Sequence, residues 1–217
     1  MIPVYKAKGA MTGVERPLQH TATLMLQTEP LCGISSGPPT HGDRSLSNQS
    51  ARHPATIPPA ELLKKCRQTR TRRSGPGGQH RNRVETAVIL THTSTEVSAE
   101  ANERRSQADN RSVALFRLRV NLALEVRRKV AVDAPPSDLW QSRCRHQRLS
   151  VNPAHGDFPA LLSETLDRLE SVEWDISLAA ELSGISTSQM TRFLKLEPRA
   201  FALLNERRRE RGLRPLW

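Results

Sequence analysis

Apolar positions along this chain keep a regular period only after residue 58. Over residues 1–54 no period of 3.6 or 2 lasts a dozen residues, and Pro, Gly, Ser and Thr recur through 33–41 and 45–50. That stretch reads as a disordered leader. From Pro59 a helix is predicted, with proline in its first turn, Glu61 close behind, and Leu62, Leu63 and Cys66 on one face. The basic run 67–73 follows. Residues 84–91 then alternate, Val84, Thr86, Val88 and Leu90 against Glu85, Ala87, Ile89 and Thr91, which predicts a strand. A turn near Ser94-Thr95 and a second strand over 96–101 complete a hairpin. Between Ser106 and Lys129, Val113, Phe116, Val120 and Leu124 share a helical face. Leu118 and Leu122 lie opposite, however, and residues 116–122 also alternate as a strand does, so the pattern alone leaves both elements open.

The run Ala134-Pro135-Pro136-Ser137 breaks the pattern and places a linker over 131–156. Residues 157–217 read as helical. Leu161, Leu162, Thr165, Leu166 and Leu169 recur at helix spacing, and Pro198 opens a last helix that ends in the basic cluster 207–214. Between them, Ala180 stands four residues before Gly184, with Ile185, Met190 and Phe193 after it. This resembles a helix-turn-helix, although a three-helix bundle with a glycine turn gives the same signal.

Charge changes the picture. Lys and Arg number 33 against 22 Asp and Glu, a net charge of +11, and the excess is local. Residues 61–130 hold 16 basic and 7 acidic side chains, whereas residues 131–217 hold 12 of each. A uniform arginine bias would not be so concentrated, and the basic stretch points to RNA. Hydrophobic residues make up 36% of the chain and aromatics 4%, so any core is modest and aliphatic. Cys32, Cys66 and Cys144 have no paired spacing, which suggests neither a disulfide framework nor a zinc site and fits a reducing interior. No apolar run reaches the length of a membrane span. The expectation is a soluble intracellular protein. For the leader, an organelle-targeting peptide and an over-extended start both stay open, acidic and basic residues being sparse alike.

The chemistry concentrates in Arg73-Ser74-Gly75-Pro76-Gly77-Gly78-Gln79-His80, inside the most basic stretch. After it come Asn82, the strand-like 84–92, the run Glu103-Arg104-Arg105-Ser106-Gln107-Ala108-Asp109-Asn110, and Ala114-Leu115-Phe116-Arg117-Leu118-Arg119. In order and spacing, residues 55–130 resemble the Gly-Gly-Gln hydrolase domain of the class I peptide-chain release factors and their ribosome-rescue relatives. The resemblance implies a small α+β domain, a short sheet with packed helices, and settles 106–129 as helix. It also implies ribosome-dependent hydrolysis of the peptidyl-tRNA ester at the peptidyl-transferase centre of the large subunit, with no metal and no cofactor.

Glycine suits that task, because Gly77 and Gly78 can take positive φ and let the main chain lie against RNA. By resemblance, Gly77, Gly78 and Gln79 are the catalytic residues. The Gln79 main-chain N–H serves the developing oxyanion, and its neutral carboxamide holds the water. Gln79 would also be the target of a glutamine methyltransferase. Arg72, Arg73, His80, Arg81, Asn82, Arg83 and Arg104 are expected to contact rRNA, and Glu103, Ser106, Gln107 and Asn110 to support the loop. Arg111, Arg117, Arg119, Arg127 and Arg128 are expected to stay solvated or meet phosphate. Ser74 and His80 do not make a nucleophile–base pair, since no acid is evidently placed to orient the imidazole. Arg81 departs from the small apolar residue common after the Gln-His pair.

No segment here resembles the stop-codon-reading domain of decoding factors, so the chain looks like the short members that act without a codon on stalled ribosomes. Their long basic tail is replaced by the charge-balanced 157–217. The expected compartment is the cytoplasm, with the mitochondrial matrix as the alternative. Two other readings stay open: a non-catalytic ribosome- or RNA-binding factor, and a helix-turn-helix regulator of DNA.

Overall fold

The computed structural model of the protein describes residues 52–71 and 86–217. Helix α1 (Pro59–Lys64) opens on proline, whose missing N–H would be unpaired at a helix start in any case. It is short, and Lys65 ends it by donating to the carbonyls of Leu62 and Leu63. The chain turns at once into strand β1 (Cys66–Thr71). This corrects the sequence expectation, which continued the helical face to Cys66 and gave the residues after it no element. Cys66 and Gln68 are only half-buried, and Arg67, Thr69 and Arg70 are exposed, so the strand has no apolar face to read. Its pairing is made by the main chain, in register from Cys66 opposite His92 to Thr71 opposite Ala87.

Strands β2 (Ala87–His92) and β3 (Ser98–Ala101) form the predicted hairpin. The sheet runs β1-β2-β3, antiparallel throughout, with Val88 opposite Ala101 and Leu90 opposite Ala99. Those four residues are buried on one face. Helix α2 (Gln107–Glu125) lies against it, capped by Ser106, whose hydroxyl accepts from Asp109 N–H. The helix ends at Glu125, four residues short of the predicted end.

Helix α2 is enclosed on two sides, and this decides which of its residues are inside. Arg117 and Asn121 donate to the carbonyls of Glu100 and Ser98 and so mark the side toward β3. On another side packs α4 (Phe158–Ser171). The fully buried apolar positions are therefore Ala114, Leu118, Leu122 and Ala123. Val113, Phe116 and Leu124, which the spacing put on the leading face, are half-buried. Arg119 is likewise not solvated. It is buried, with Nε donating to Ala55 O at 3.1 Å and Nη1 to Gly156 O at 2.6 Å.

The stretch read as a linker carries α3 (Asp138–Arg143), β4 (Cys144–Arg145) and β5 (Arg148–Leu149). Ser137 caps α3, and Trp140 is buried with its indole N–H on Ser183 O at 2.9 Å. Beyond α4, helices α5 (Ile176–Leu182) and α6 (Thr187–Lys195) flank a turn in which Gly184 takes φ +67. That turn gives the helix-turn-helix arrangement, Ile185 N–H returning to Ala180 O. Helix α7 (Pro198–Glu210) closes the order. One hydrophobic cluster extends from Ala55 through the sheet face and α2 to Leu204, so the C-terminal helices share the core of the α+β unit. Among the described residues no helix is long and apolar enough to cross a membrane.

Two buried titratable groups sit where α2 ends against α4. His53 Nε2 meets Val126 O at 3.0 Å, and Nδ1 accepts from Ala55 N–H. Desolvation, helped by the charges of Arg127 and Arg128, lowers its pKa to about 4 against the opposing Val126 bond. Asp167 accepts from Arg128 N–H at 3.0 Å and lies 3.6 Å from Arg127 Nη1. Burial still raises it to about 6. Arg127 is thus a half-buried ion-pair partner rather than a solvated cation.

Leu118→Ala, at the centre of the core, should destabilise the protein by about 2–5 kcal/mol in chemical denaturation. The two titrations oppose each other. Folded His53 binds its proton less tightly than the unfolded chain, so its contribution is complete above 6.5 and lost as pH falls toward 4. Folded Asp167 binds its proton more tightly, so its contribution is present below 3.8 and lost as pH rises through about 6. Relative to wild type, Asp167→Asn should gain stability and His53→Gln should lose it between pH 4 and 6.5, each by on the order of 3 kcal/mol. Urea denaturation across that range checks this, and profiles parallel to wild type would refute it.

Candidate catalytic and RNA-binding site

Gly77, Gly78, Gln79, Arg72, Arg73, His80, Arg81, Asn82 and Arg83 lie outside the described residues. The frame from which that segment departs and to which it returns is described, together with the remaining site residues. Departure and return are neighbours: Thr71, the last residue of β1, stands opposite Ala87, the first of β2.

Asn110 fastens the return. It is fully buried in the first turn of α2, and its Nδ2 donates to Thr86 O at 2.7 Å and to Arg104 O at 2.9 Å. Its Oδ1 accepts from Arg104 N–H at 2.8 Å. One carboxamide thus ties the start of β2, the turn 102–106 and the helix together, using both its donors and its acceptor. Apolar or charged side chains cannot make this set of contacts.

Glu103 reaches the same helix from the other end of the turn. Its carboxylate takes Arg117 Nη2 at 2.6 Å and Asn102 N–H at 2.9 Å. The little burial it has would raise its pKa, but the backbone N–H groups of Asn102 and Glu103 and the Arg117 guanidinium together hold it below the usual carboxylate range. Ser106 supplies the α2 cap. Three expected support residues therefore make local framework contacts. Arg104, expected to meet RNA, enters the framework through its main chain and leaves its side chain exposed.

Gln107 behaves differently. Its amide nitrogen is buried without a hydrogen-bond partner, and the residue lines an open cleft of about 390 Å³ beside the start of α2. Arg70 from β1 and Arg111 from α2 line the same cleft, as do Gln68 and Ser112. Two guanidinium groups near a helix start favour an anion. Arg111 was among the residues expected to meet phosphate. Arg70 was not singled out, because its role depends on a strand that has no hydrophobic signature.

Over residues 56–149 the chain matches the family model described as RF-1 domain. It is 40% identical over 97 residues to peptide chain release factor 2 of Stenotrophomonas maltophilia, and 38% identical over 88 residues to peptide chain release factor 1 of Rickettsia typhi. Those alignments cover 42% and 39% of this chain and 25% of each relative. It is also 50% identical over 52 residues to the chloroplastic peptide chain release factor PrfB1 of Arabidopsis thaliana, covering 24% of this chain and 11% of that protein. The matched segment contains the Gly77-Gly78-Gln79 run, the sheet, the Asn110 clasp and all of α2. Over residues 56–149 the chain is therefore similar to the RF-1 domain of peptide chain release factors.

Proposed function

We propose that this protein releases nascent peptides on the ribosome by hydrolysing the peptidyl-tRNA ester, and that it does so without reading a codon. The observation that carries the reading is the Gly77-Gly78-Gln79 run within an RF-1 domain, set between two strand ends held opposite each other at Thr71 and Ala87. The codon-independent part rests on the resemblance to short family members alone and is tested by the choice of mRNA below.

The division of labour follows from the chemistry. The ribosome holds the ester, so the factor supplies close approach and a positioned water. Gly77 and Gly78, lacking Cβ, let the main chain come against the substrate. The Gln79 N–H then donates to the oxygen on which charge develops, and the carboxamide orients the attacking water without competing as a nucleophile. Arg72, Arg73, Arg81, Arg83 and Arg104 hold rRNA phosphates on both sides of the loop, where each contact adds salt-dependent affinity and none reads sequence. His80 and Asn82 complete the RNA contacts. Asn110 and Glu103 fix where the loop is anchored, which matters because small misplacement of a positioned group costs large factors in rate. The partners are the large subunit's peptidyl-transferase centre, peptidyl-tRNA and a methyltransferase acting on Gln79. The compartment is one that holds ribosomes, the cytoplasm or a mitochondrial matrix.

The decisive experiment is single-turnover release of labelled peptide from ribosomes stalled on an mRNA without a stop codon. Wild type should release, Gln79→Ala should be slower by about 10- to 100-fold, and Gly78→Ala by about 100- to 1,000-fold, as expected when an oxyanion donor is displaced. Ribosome binding without release by wild type would replace this reading with a docking role. Asn110→Leu, which keeps the branched outline but leaves Thr86 O and the Arg104 main chain unpaired, should cost about 1–3 kcal/mol of stability. Its release rate at saturating factor should also fall, at a temperature where the variant is fully folded; an unchanged rate would remove Asn110 from loop positioning.

A further inference from the structure

The charge balance of residues 131–217 conceals a segregation. Neither 139–156 nor 182–196 contains an Asp or Glu, yet these two segments hold Arg143, Arg145, Arg148, Arg192 and Lys195. The fold brings them together. Strand β5 packs beside α6, and Cys144 Sγ faces Gly184 O at 3.9 Å. Trp140 binds Ser183 O and meets the Phe193 ring edge-on at 6.3 Å. The β4–β5 hairpin thus stands against the turn and second helix of the helix-turn-helix unit, and every acidic side chain of residues 131–217 belongs to other segments.

Two features of that hairpin are unfavourable in isolation. Arg145 and Arg148 are direct cross-strand partners and both are exposed, an arrangement of like charges that weakens a ladder. The turn between them is His146-Gln147, with φ of 50° and 60°, a conformation that hairpins normally give to Asn-Gly. Arg143 is tied to Asp157, and Lys195 to Trp217 O and the Phe201 ring. Arg145, Arg148 and Arg192 have no ion-pair partner among the described residues. On α6, Ser188 and Arg192 are exposed one turn apart.

We propose that the β4–β5 hairpin and the exposed face of α6 form an RNA-docking surface. Arg145, Arg148 and Arg192 contact backbone phosphates, with Ser188 alongside them. A polyanion would turn the repelling Arg145–Arg148 pair into a favourable one, and guanidinium forks suit phosphate. The choice of RNA over DNA rests on the proposed ribosomal function; the surface itself does not.

The test is fluorescence anisotropy of the full chain with a labelled RNA stem-loop and a DNA duplex of the same sequence, over a range of salt. The variant Arg145→Glu/Arg148→Glu/Arg192→Glu should bind the RNA at least tenfold more weakly. Its salt dependence should flatten by about one in log–log slope per phosphate contact removed. The matching triple Arg→Lys variant should stay close to wild type, which separates charge from folding. Peptide release by wild type is measured separately, so loss of RNA affinity in the Glu variant and absence of release by wild type are distinct results, and failure of this surface and failure of the hydrolase reading can be told apart. Unchanged affinity and slope in the Glu variant, or tighter binding of the DNA duplex than of the RNA, would overturn the proposal.

Discussion

The enclosure of α2 is the constraint on which the remaining structure depends. A helix at the edge of a small domain needs one apolar stripe. This one has buried residues toward both the sheet and α4, with Ala114, Leu118, Leu122 and Ala123 fully inside. Such a helix cannot be covered by a three-stranded sheet alone. Removing α4 would expose a second apolar face, so the C-terminal helices complete the core and are not an appendage to it. The polar groups trapped by the same enclosure satisfy themselves locally: Arg119 takes two carbonyls, and Trp140 takes the Ser183 carbonyl.

Enclosure also redistributes the charge. The +11 of the chain overstates what the surface presents, because Arg119, Arg127 and Arg168 are spent inside, on carbonyls or on Asp167. Exposed Arg70, Arg104, Arg105 and Arg111 remain close to the frame of the Gly-Gly-Gln segment. A basic patch beside that frame therefore survives the burial of the other arginines. Among the arginines of the C-terminal region that face solvent without an ion pair, Arg145, Arg148 and Arg192 lie on segments that contain no acid.

The Gly-Gly-Gln segment leaves and re-enters the fold at an anchored frame. Thr71 and Ala87 hold its two ends one strand spacing apart, and Asn110 locks the returning end to a helix whose own position is fixed on two sides. The proposed catalysis works by placement and would require such an anchor, since its rate would depend on where a backbone amide and a water are held.

The sequence by itself determined the hairpin of β2 and β3, the start of α2 at Ser106, the helical C-terminal region and the Gly-Gly-Gln segment, because each is written in local periodicity, caps or glycine spacing. Through resemblance to a family it also singled out Asn110 and Glu103, which the structure gives framework contacts to Thr86 and Arg117. It misjudged the inner face of α2, the end of that helix and the fates of Arg119 and Arg127, and it gave no element to β1. Those outcomes belong to the tertiary structure for one reason. A residue's exposure is set by what packs over it from distant parts of the chain, and a main-chain ladder can recruit a polar strand whose side chains carry no hydrophobic period. The same long-range packing, not any local pattern, sets Arg145 and Arg148 of the hairpin beside α6.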